Sequence, residues 1–112
     1  MSLSTHVLDA ALGRPAAGVG VRLDRREDGG DWAERASGRT GPDGRLSGWL
    51  PDGEPAAGVY RLVFDTGGYF AAHDVQAFYP EVTITFQVRC AAEHYHLPVL
   101  LSPFAYSTYR GS

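Results

Sequence analysis

Two histidines stand two positions apart in the stretch HYHLPVLLSP, as His94 and His96. Side chains two positions apart on a β-strand point to the same face, so the two imidazoles would lie side by side. A third histidine, His6, belongs to the first segment of the chain, THVLDA. Imidazole titrates near neutral pH, which suits it to general acid–base catalysis. His6 and His96 are therefore the candidates for that chemistry.

The same histidines offer an alternative, a zinc site, because two neighbouring imidazoles and a third ligand can hold that metal. No HExxH motif or Cys/His spacing accompanies them, and Cys90 is the only cysteine. We therefore expect no metal, no cofactor and no intrachain disulfide. His73 lies in a predicted helix and is interpreted as an exposed or hydrogen-bonded residue without a catalytic role.

An arginine follows the turn PDG and opens a short predicted strand, which gives Arg45 a rigid base. A guanidinium group pairs well with carboxylate, urea-like or imide oxygens. Arg45 is thus a candidate to bind an oxygen-rich ligand. The ten basic residues are all arginine, and many of the others, such as Arg25, Arg26 and Arg35, are interpreted as surface charges.

The last stretch, SPFAYSTYRGS, places aromatic side chains and an arginine where a terminus is usually polar and frayed. Its hydroxyl groups, Ser107, Thr108 and Ser112, are candidate nucleophiles, but no GxSxG elbow surrounds them. The chain has no P-loop and no GxGxxG motif, so nucleotide binding has no support. Its net charge of −3 argues against nucleic acid as a partner.

These side chains need a scaffold, and the sequence predicts an all-β one. Short runs rich in valine, isoleucine and aromatic residues alternate with turn residues, which is typical of a sandwich or barrel. The clearest is EVTITFQV, whose strict period of two predicts a half-buried strand. GGYFAAHDV, capped by Asp65 or Thr66, is the best candidate for a helix. Tyr106 to Tyr109 would form the final strand, and Pro98 should lie at an edge, at a bulge or with its nitrogen facing away from its neighbour.

A length of 112 residues predicts one domain, residues 1–112. The first residues lack the basic start and unbroken apolar run of a secretory signal. No stretch approaches the ~20 apolar residues that a membrane span needs. We therefore expect a cytoplasmic protein that does not bind membranes.

Four stretches occur in this order along the chain: STHVLDAALGRPAAGVGVRL, ASGRTGPDGRL, GVYRLVFDTGGYF and HYHLPVLLSPFAYSTYRGS. Together they resemble the transthyretin-like family, and specifically its enzyme branch, the 5-hydroxyisourate hydrolases. VLDAALGRPA also fits the hormone-carrying transthyretins, whereas the ending YRGS is specific to the enzyme branch. The resemblance covers Ser4 to Ser112.

The resemblance implies a transthyretin-like sandwich of two four-stranded sheets with one short helix after the fifth strand. It also implies a homotetramer, a dimer of dimers, with two active sites in the channel between the dimers. The implied reaction is hydrolysis of 5-hydroxyisourate to 2-oxo-4-hydroxy-4-carboxy-5-ureidoimidazoline in urate breakdown, a branch of purine metabolism, without a cofactor.

The resemblance also assigns roles to individual residues. The implied catalytic residues are His6, Arg45, His96 and Ser112, and the implied substrate-binding residues are Tyr109, Arg110 and Gly111. The hormone carriers have lysine, glutamate and threonine at the positions of His6, Arg45 and His96, so this chain resembles the enzymes there. Which histidine is the base is left open, and His94 is only the neighbouring position.

Two other readings predict different behaviour. A non-catalytic transthyretin-like channel would bind a flat ligand such as thyroid hormone without converting it. A β-sandwich interaction domain would have no small-molecule site and would not form a channel.

Overall fold

The computed structural model describes residues 2–112 as a sandwich of two β-sheets with one short helix. The strands and the helix are, in chain order, β1 (Ser2–Asp9), β2 (Arg14–Pro15), β3 (Gly20–Arg26), β4 (Trp32–Arg39), β5 (Arg45–Leu46), β6 (Gly58–Phe64), α1 (Thr66–Ala72), β7 (Val82–Val88), β8 (His94–Ser102) and β9 (Ala105–Thr108). The predicted all-β sandwich is thereby confirmed.

One sheet has the order β4-β3-β6-β7, and all of its neighbours are antiparallel. The other has the order β2-β1-β8-β9, and β5 also pairs with β1. Because β8 runs along the whole length of β1, the two-residue strands β2 and β5 must share the opposite edge of β1. This sheet therefore contains five strands but is only four strands wide. With both short strands counted, α1 follows the sixth strand, β6, and it follows the fifth if the two-residue β2 is left out.

The hydrophobic core lies between the two sheets and is built from alternate residues of the strands. In β7, Val82 and Val88 are buried and the side chains between them alternate, as the period of two predicts. Tyr60 and Phe64 of β6 are the largest fully buried side chains. A strand with one face in the core presents its other face outward, so the core also determines which residues are available for chemistry.

The helix α1 begins where Asp65 caps it, since the Asp65 carboxylate accepts a hydrogen bond from the Gly68 N–H at 3.0 Å. This is the predicted cap, although α1 ends at Ala72, three residues before the end of the stretch considered helical. No helix in residues 2–112 is long and apolar enough to cross a membrane.

Pro98 lies in β8, an inner strand of its sheet rather than an edge strand. The regular pairing of β8 with β9 runs from Ser102 to Val99 and is interrupted at Pro98. It resumes as one isolated bridge between His96 and Gly111. A proline can occupy an inner strand at such an interruption because no ladder hydrogen bond is required of its nitrogen there.

Candidate active site

The histidines converge because β1 and β8 are parallel and in register. Ser2 pairs with His94, Ser4 with His96, and His6 with Pro98. Residues paired across a parallel ladder point to the same face of the sheet, and so do residues two positions apart on one strand. All of these side chains therefore lie on one face. The intervening residues of both strands are buried in the core, so this face, which we call the histidine face, is the outer one.

Arg45 joins the histidine face through β5, because its Cα partner in β1 is His6. The Arg45 side chain is 56% exposed. Its Nε atom lies 4.0 Å from the Asp43 carboxylate, so the two form only a loose ion pair. Its guanidinium group is therefore accessible for binding a ligand. The structure thus brings together His6, Arg45 and His96, three residues from distant stretches of the chain.

The turn before Arg45 orients His6. The Nε2 atom of His6 lies 3.0 Å from the backbone carbonyl oxygen of Asp43. A carbonyl oxygen can only accept a hydrogen bond, so Nε2 must carry the proton and donate it. In the neutral imidazole of His6, Nδ1 then holds the free lone pair.

This turn packs tightly against β1. The Val7 N–H donates to the Gly44 carbonyl oxygen at 2.8 Å, and the Arg45 N–H donates to the Asp43 carboxylate at 3.0 Å. Gly44 has φ of +77°, and a Cβ added there would collide with the carbonyl oxygen of Val7. Only glycine fits both the backbone conformation and the space, so Gly44 permits the approach that places Arg45 beside His6.

His96 is half-buried, and its Nδ1 lies 2.8 Å from the hydroxyl oxygen of Ser4. Burial lowers the pKa of His96 below its usual value, and the positive charge of Arg45 and the electrostatic influence of the neighbouring His94 and His6 lower it further. Both effects disfavour the imidazolium form. His96 is therefore neutral at neutral pH, which is the state that a general base requires.

The end of the chain covers His96. The Gly111 N–H donates to the His96 carbonyl oxygen at 2.8 Å, which closes the isolated bridge. A Cβ added at Gly111 would lie 2.6 Å from Cδ2 of the imidazole. Tyr109 and Ser112, on either side of this bridge, are exposed. The structure therefore brings the chain end to His96, with Gly111 in direct contact.

Arg110 does not join the other candidates within this chain. Its guanidinium group bonds the carboxylate of Glu93 at 2.9 Å and lies 4.7 Å above the ring centre of Tyr95. Tyr95 points into the core side of the sheet, opposite to its neighbours His94 and His96. The assignment of Arg110 to substrate binding stays a prediction.

Three groups that contact the histidines of this face were missed in the sequence. They are Ser4, which bonds His96, the Asp43 carbonyl group, which bonds His6, and Ser2, which contacts Nδ1 of His94. The alternation of polar residues in SLSTH could have identified the two serines, because a strand with polar residues at every second position presents a polar face. A backbone carbonyl leaves no signal in a sequence.

The structure also bears on His73 and on the alternative of a metal site. His73 follows α1, where its Nδ1 lies 2.8 Å from the carbonyl oxygen of Tyr69. Within residues 2–112, no group of three histidine, cysteine or acidic side chains is arranged to hold a metal ion.

Comparison with known proteins identifies relatives over almost the whole chain. The model of the HIUase/Transthyretin family matches residues 3–111. The 5-hydroxyisourate hydrolase of Salmonella dublin is 44% identical over 110 residues, which cover 98% of this chain and 80% of the relative.

Solved structures of both kinds of relative have the same fold. The 5-hydroxyisourate hydrolase of Klebsiella pneumoniae matches with a TM-score of 0.84 and 37% identity, and the match covers 100% of both chains. Sea bream transthyretin in complex with thyroxine matches with a TM-score of 0.93 and 32% identity, covering 97% of this chain and 93% of that one. Because hydrolase and transthyretin share the backbone, the side chains of the site, rather than the fold, must distinguish between them.

Proposed function

The chain belongs to the HIUase/Transthyretin family and is a hydrolase of that family, and we propose that it hydrolyses 5-hydroxyisourate. The product would be 2-oxo-4-hydroxy-4-carboxy-5-ureidoimidazoline, and the step would belong to urate breakdown in the cytoplasm. The observation that supports this most directly is the convergence of His6, Arg45 and His96 on one outer face. We further propose that residues 1–112 act as one domain and that no cofactor takes part.

The proposed reaction begins with attack of water on a ring carbonyl carbon. One nitrogen of His96 removes a proton from that water, since the lowered pKa keeps the imidazole neutral and able to accept it. The carbonyl becomes a tetrahedral oxyanion, the C–N bond of the ring then breaks, and the leaving nitrogen takes up a proton. His96 therefore acts first as base and then as acid.

Arg45 would bind and stabilise the oxygen atoms that gain negative charge during this attack. Its guanidinium group is accessible and carries a fixed positive charge beside His6. His6, whose Nε2–H is engaged by the Asp43 carbonyl oxygen, would present its free Nδ1 to the attacking water and share the acid–base role with His96.

The chain end would form one wall of the site. Gly111 lies on His96, and we propose that Tyr109 and Ser112 shape the pocket and donate hydrogen bonds to the substrate. Arg110 would contact substrate only after its guanidinium group leaves Glu93 and Tyr95.

We propose that the protein is a homotetramer, a dimer of dimers in which the channel between the dimers covers the histidine face. Phe104 is 70% exposed and Tyr109 is 60% exposed in the single chain, and such large apolar side chains are typical of surfaces that become buried in an assembly. Light scattering should give four times the mass of the chain. A monomer in solution would contradict the proposed channel.

The second candidate function is binding of a flat ligand in that channel without conversion. It has support from the sea bream transthyretin complex with thyroxine, whose backbone this chain matches with a TM-score of 0.93. Titration with thyroid hormone beside the hydrolysis assay separates the two, because a carrier binds the hormone and leaves 5-hydroxyisourate to its spontaneous decay.

The decisive experiment follows the loss of absorbance of freshly prepared 5-hydroxyisourate, with the spontaneous decay subtracted. We expect His6→Gln and His96→Gln each to lower the rate by ~10²–10⁴, the value of a positioned acid–base group. His73→Gln is the matched control, since that histidine is exposed at the end of α1 and should leave the rate unchanged. Wild-type turnover in both His6→Gln and His96→Gln would refute the proposed roles.

A further inference from the structure

A line of alternating serines and histidines crosses the histidine face from β1 to β8. The hydroxyl oxygen of Ser4 lies 2.8 Å from Nδ1 of His96 and 3.5 Å from Nε2 of His94. Ser2 contacts the other ring nitrogen of His94, Nδ1. Ser4 is only 8% exposed, whereas His94 is exposed. A buried hydroxyl group thus stands between a half-buried imidazole and an exposed one.

The number of hydrogens restricts how this line can be bonded. Ser4 has one hydroxyl hydrogen, so it can donate to only one of its two imidazole neighbours. A neutral imidazole has one N–H and one lone pair, and the partner of one nitrogen determines which nitrogen is free. Either Ser4 donates to His96, whose Nε2 then carries the hydrogen, or Ser4 accepts from His96 and donates toward His94.

We propose that Ser4 is the positioning residue of His96: it accepts the Nδ1–H hydrogen bond of His96 and directs its own hydrogen toward His94. In this arrangement the Nε2 lone pair of His96 faces the substrate and can take the proton of the attacking water. In the opposite arrangement Nε2–H has no lone pair and cannot act as a base. The catalytic consequence rests on the function proposed above, but the tautomer of His96 does not.

Burial makes Ser4 suited to this role. Where a serine is exposed, water can replace its hydroxyl group, but at a buried position such as Ser4 water does not readily do so, and the nitrogen that loses this partner is left unpaired, which is costly. Removal of the Ser4 hydroxyl should therefore free the His96 ring to adopt the other tautomer or another orientation. Because Ser4 approaches only the far nitrogen, substrate affinity should change much less than turnover.

The test is nitrogen NMR of the whole protein labelled at histidine, with the His96 signals assigned through His96→Gln. We expect wild-type His96 to carry its hydrogen on Nδ1, and Ser4→Ala to shift the population toward the Nε2–H form. Ser4→Thr, which retains a hydroxyl group, should restore the wild-type tautomer. Ser37→Ala, at an exposed position on β4 of the other sheet, is the matched control and should leave all histidine signals unchanged.

Kinetics provide a second readout. Ser4→Ala should lower kcat at least tenfold with little change in KM, and Ser4→Thr should recover most of that loss, because a base held in the wrong tautomer fails in the chemical step. An Nε2–H tautomer in wild-type His96, or an unchanged tautomer and kcat in Ser4→Ala, would overturn the proposal. If the wild type does not hydrolyse 5-hydroxyisourate, the proposed function fails, while the NMR result still decides the role of Ser4.

Discussion

Gly111 lies against the imidazole of His96 so closely that no side chain fits between them. A Cβ at residue 111 would stand 2.6 Å from Cδ2 of the ring, while the Gly111 N–H donates to the carbonyl oxygen of the same histidine at 2.8 Å. The contact is thus made by backbone on one side and by the candidate base on the other. Cδ2 adjoins Nε2, so the chain end borders the nitrogen that we expect to react.

Replacing Gly111 by alanine should therefore displace the His96 ring rather than unfold the sandwich. We expect kcat to fall roughly tenfold to a hundredfold, because small misplacements of a catalytic group are costly. The melting temperature should change little, since residue 111 lies outside the core. Gly29→Ala is the control: a Cβ there meets nothing within 4 Å. Equal activity in the two variants would contradict the importance of this contact.

The pH dependence of the reaction should reflect the lowered pKa of His96. Burial and then the charge of Arg45 are the two largest causes of that shift. The neutral base is present above its pKa, so kcat/KM should persist below the ordinary pKa of histidine, 6.5, and be lost as the pH falls through the lowered value. Arg45→Gln removes one positive charge, so the pKa of His96 should rise. The fall of kcat/KM on the acid side of the pH profile, its acid limb, should then move to higher pH, and the rate should also be lower.

Arg89→Gln removes the same charge from an exposed residue after β7 and serves as the control for the pH profile. Its acid limb should coincide with that of the wild type. If Arg45→Gln also left the limb in place, the electrostatic effect of Arg45 on His96 would have to be abandoned.

Two glycine variants can separate the energetic cost of backbone strain from the cost of a steric collision. Gly44 lies in the turn before Arg45, and Gly48 lies after β5. Gly44 and Gly48 both have positive φ, at +77° and +62°, but only at Gly44 would a Cβ collide with β1. Gly48→Ala should cost roughly 1 kcal/mol of unfolding free energy from backbone strain alone. Gly44→Ala should cost clearly more and should also reduce turnover, since the turn would have to move away from His6. Denaturant unfolding and the hydrolysis assay together check both statements.

Acid stability should depend on Asp24 in the other sheet. Its buried carboxylate accepts hydrogen bonds from Arg22 at 2.9 and 3.0 Å and from Arg61 at 2.7 Å. Burial raises the pKa of Asp24, but the two guanidinium groups outweigh it, and the pKa lies below its ordinary value of 3.8. Its contribution to stability is therefore complete above pH 3.8 and is lost as the pH falls through the lowered pKa.

The free energy of unfolding of Asp24→Asn should be about 1–3 kcal/mol lower than that of the wild type at neutral pH, because the charged hydrogen bonds of a buried carboxylate are removed. The difference in melting temperature between this variant and the wild type should narrow as the pH is lowered below 3.8. If the difference in melting temperature stayed constant across that range, the stabilisation would not come from the negative charge of the Asp24 carboxylate.

Local patterns predicted most of the fold. The alternation in EVTITFQV predicted β7 and its buried face, and Asp65 predicted the start of α1, because both signals depend on residues close in sequence. The final strand, considered to be Tyr106–Tyr109, is Ala105–Thr108 instead. Such shifts are expected because the end of a strand depends on where its partner stops, and β8 pairs regularly with β9 only as far as Val99.

The candidate site was predicted only in part. Residue chemistry and the family resemblance pointed to His6, Arg45 and His96, and the structure brings these three together. The orientation of Arg110 could not be read from the sequence, because it depends on the register of β9. Thr108 pairs with core-facing Val99, so Arg110, two positions on, falls on the side of the sheet away from the histidines.

The parallel pairing of β1 with β8 also has a consequence for folding during synthesis on the ribosome. Thr5 and Leu97, which bond each other across this pair, are 92 positions apart. At the usual 5–20 residues per second, a ribosome needs roughly 5–20 s to make that length, and during this time β1 lacks its central neighbour. Until then, the edge of β1 that will pair with β8 has no partner. No catalytic activity can arise before β8, which carries His96, has been synthesised.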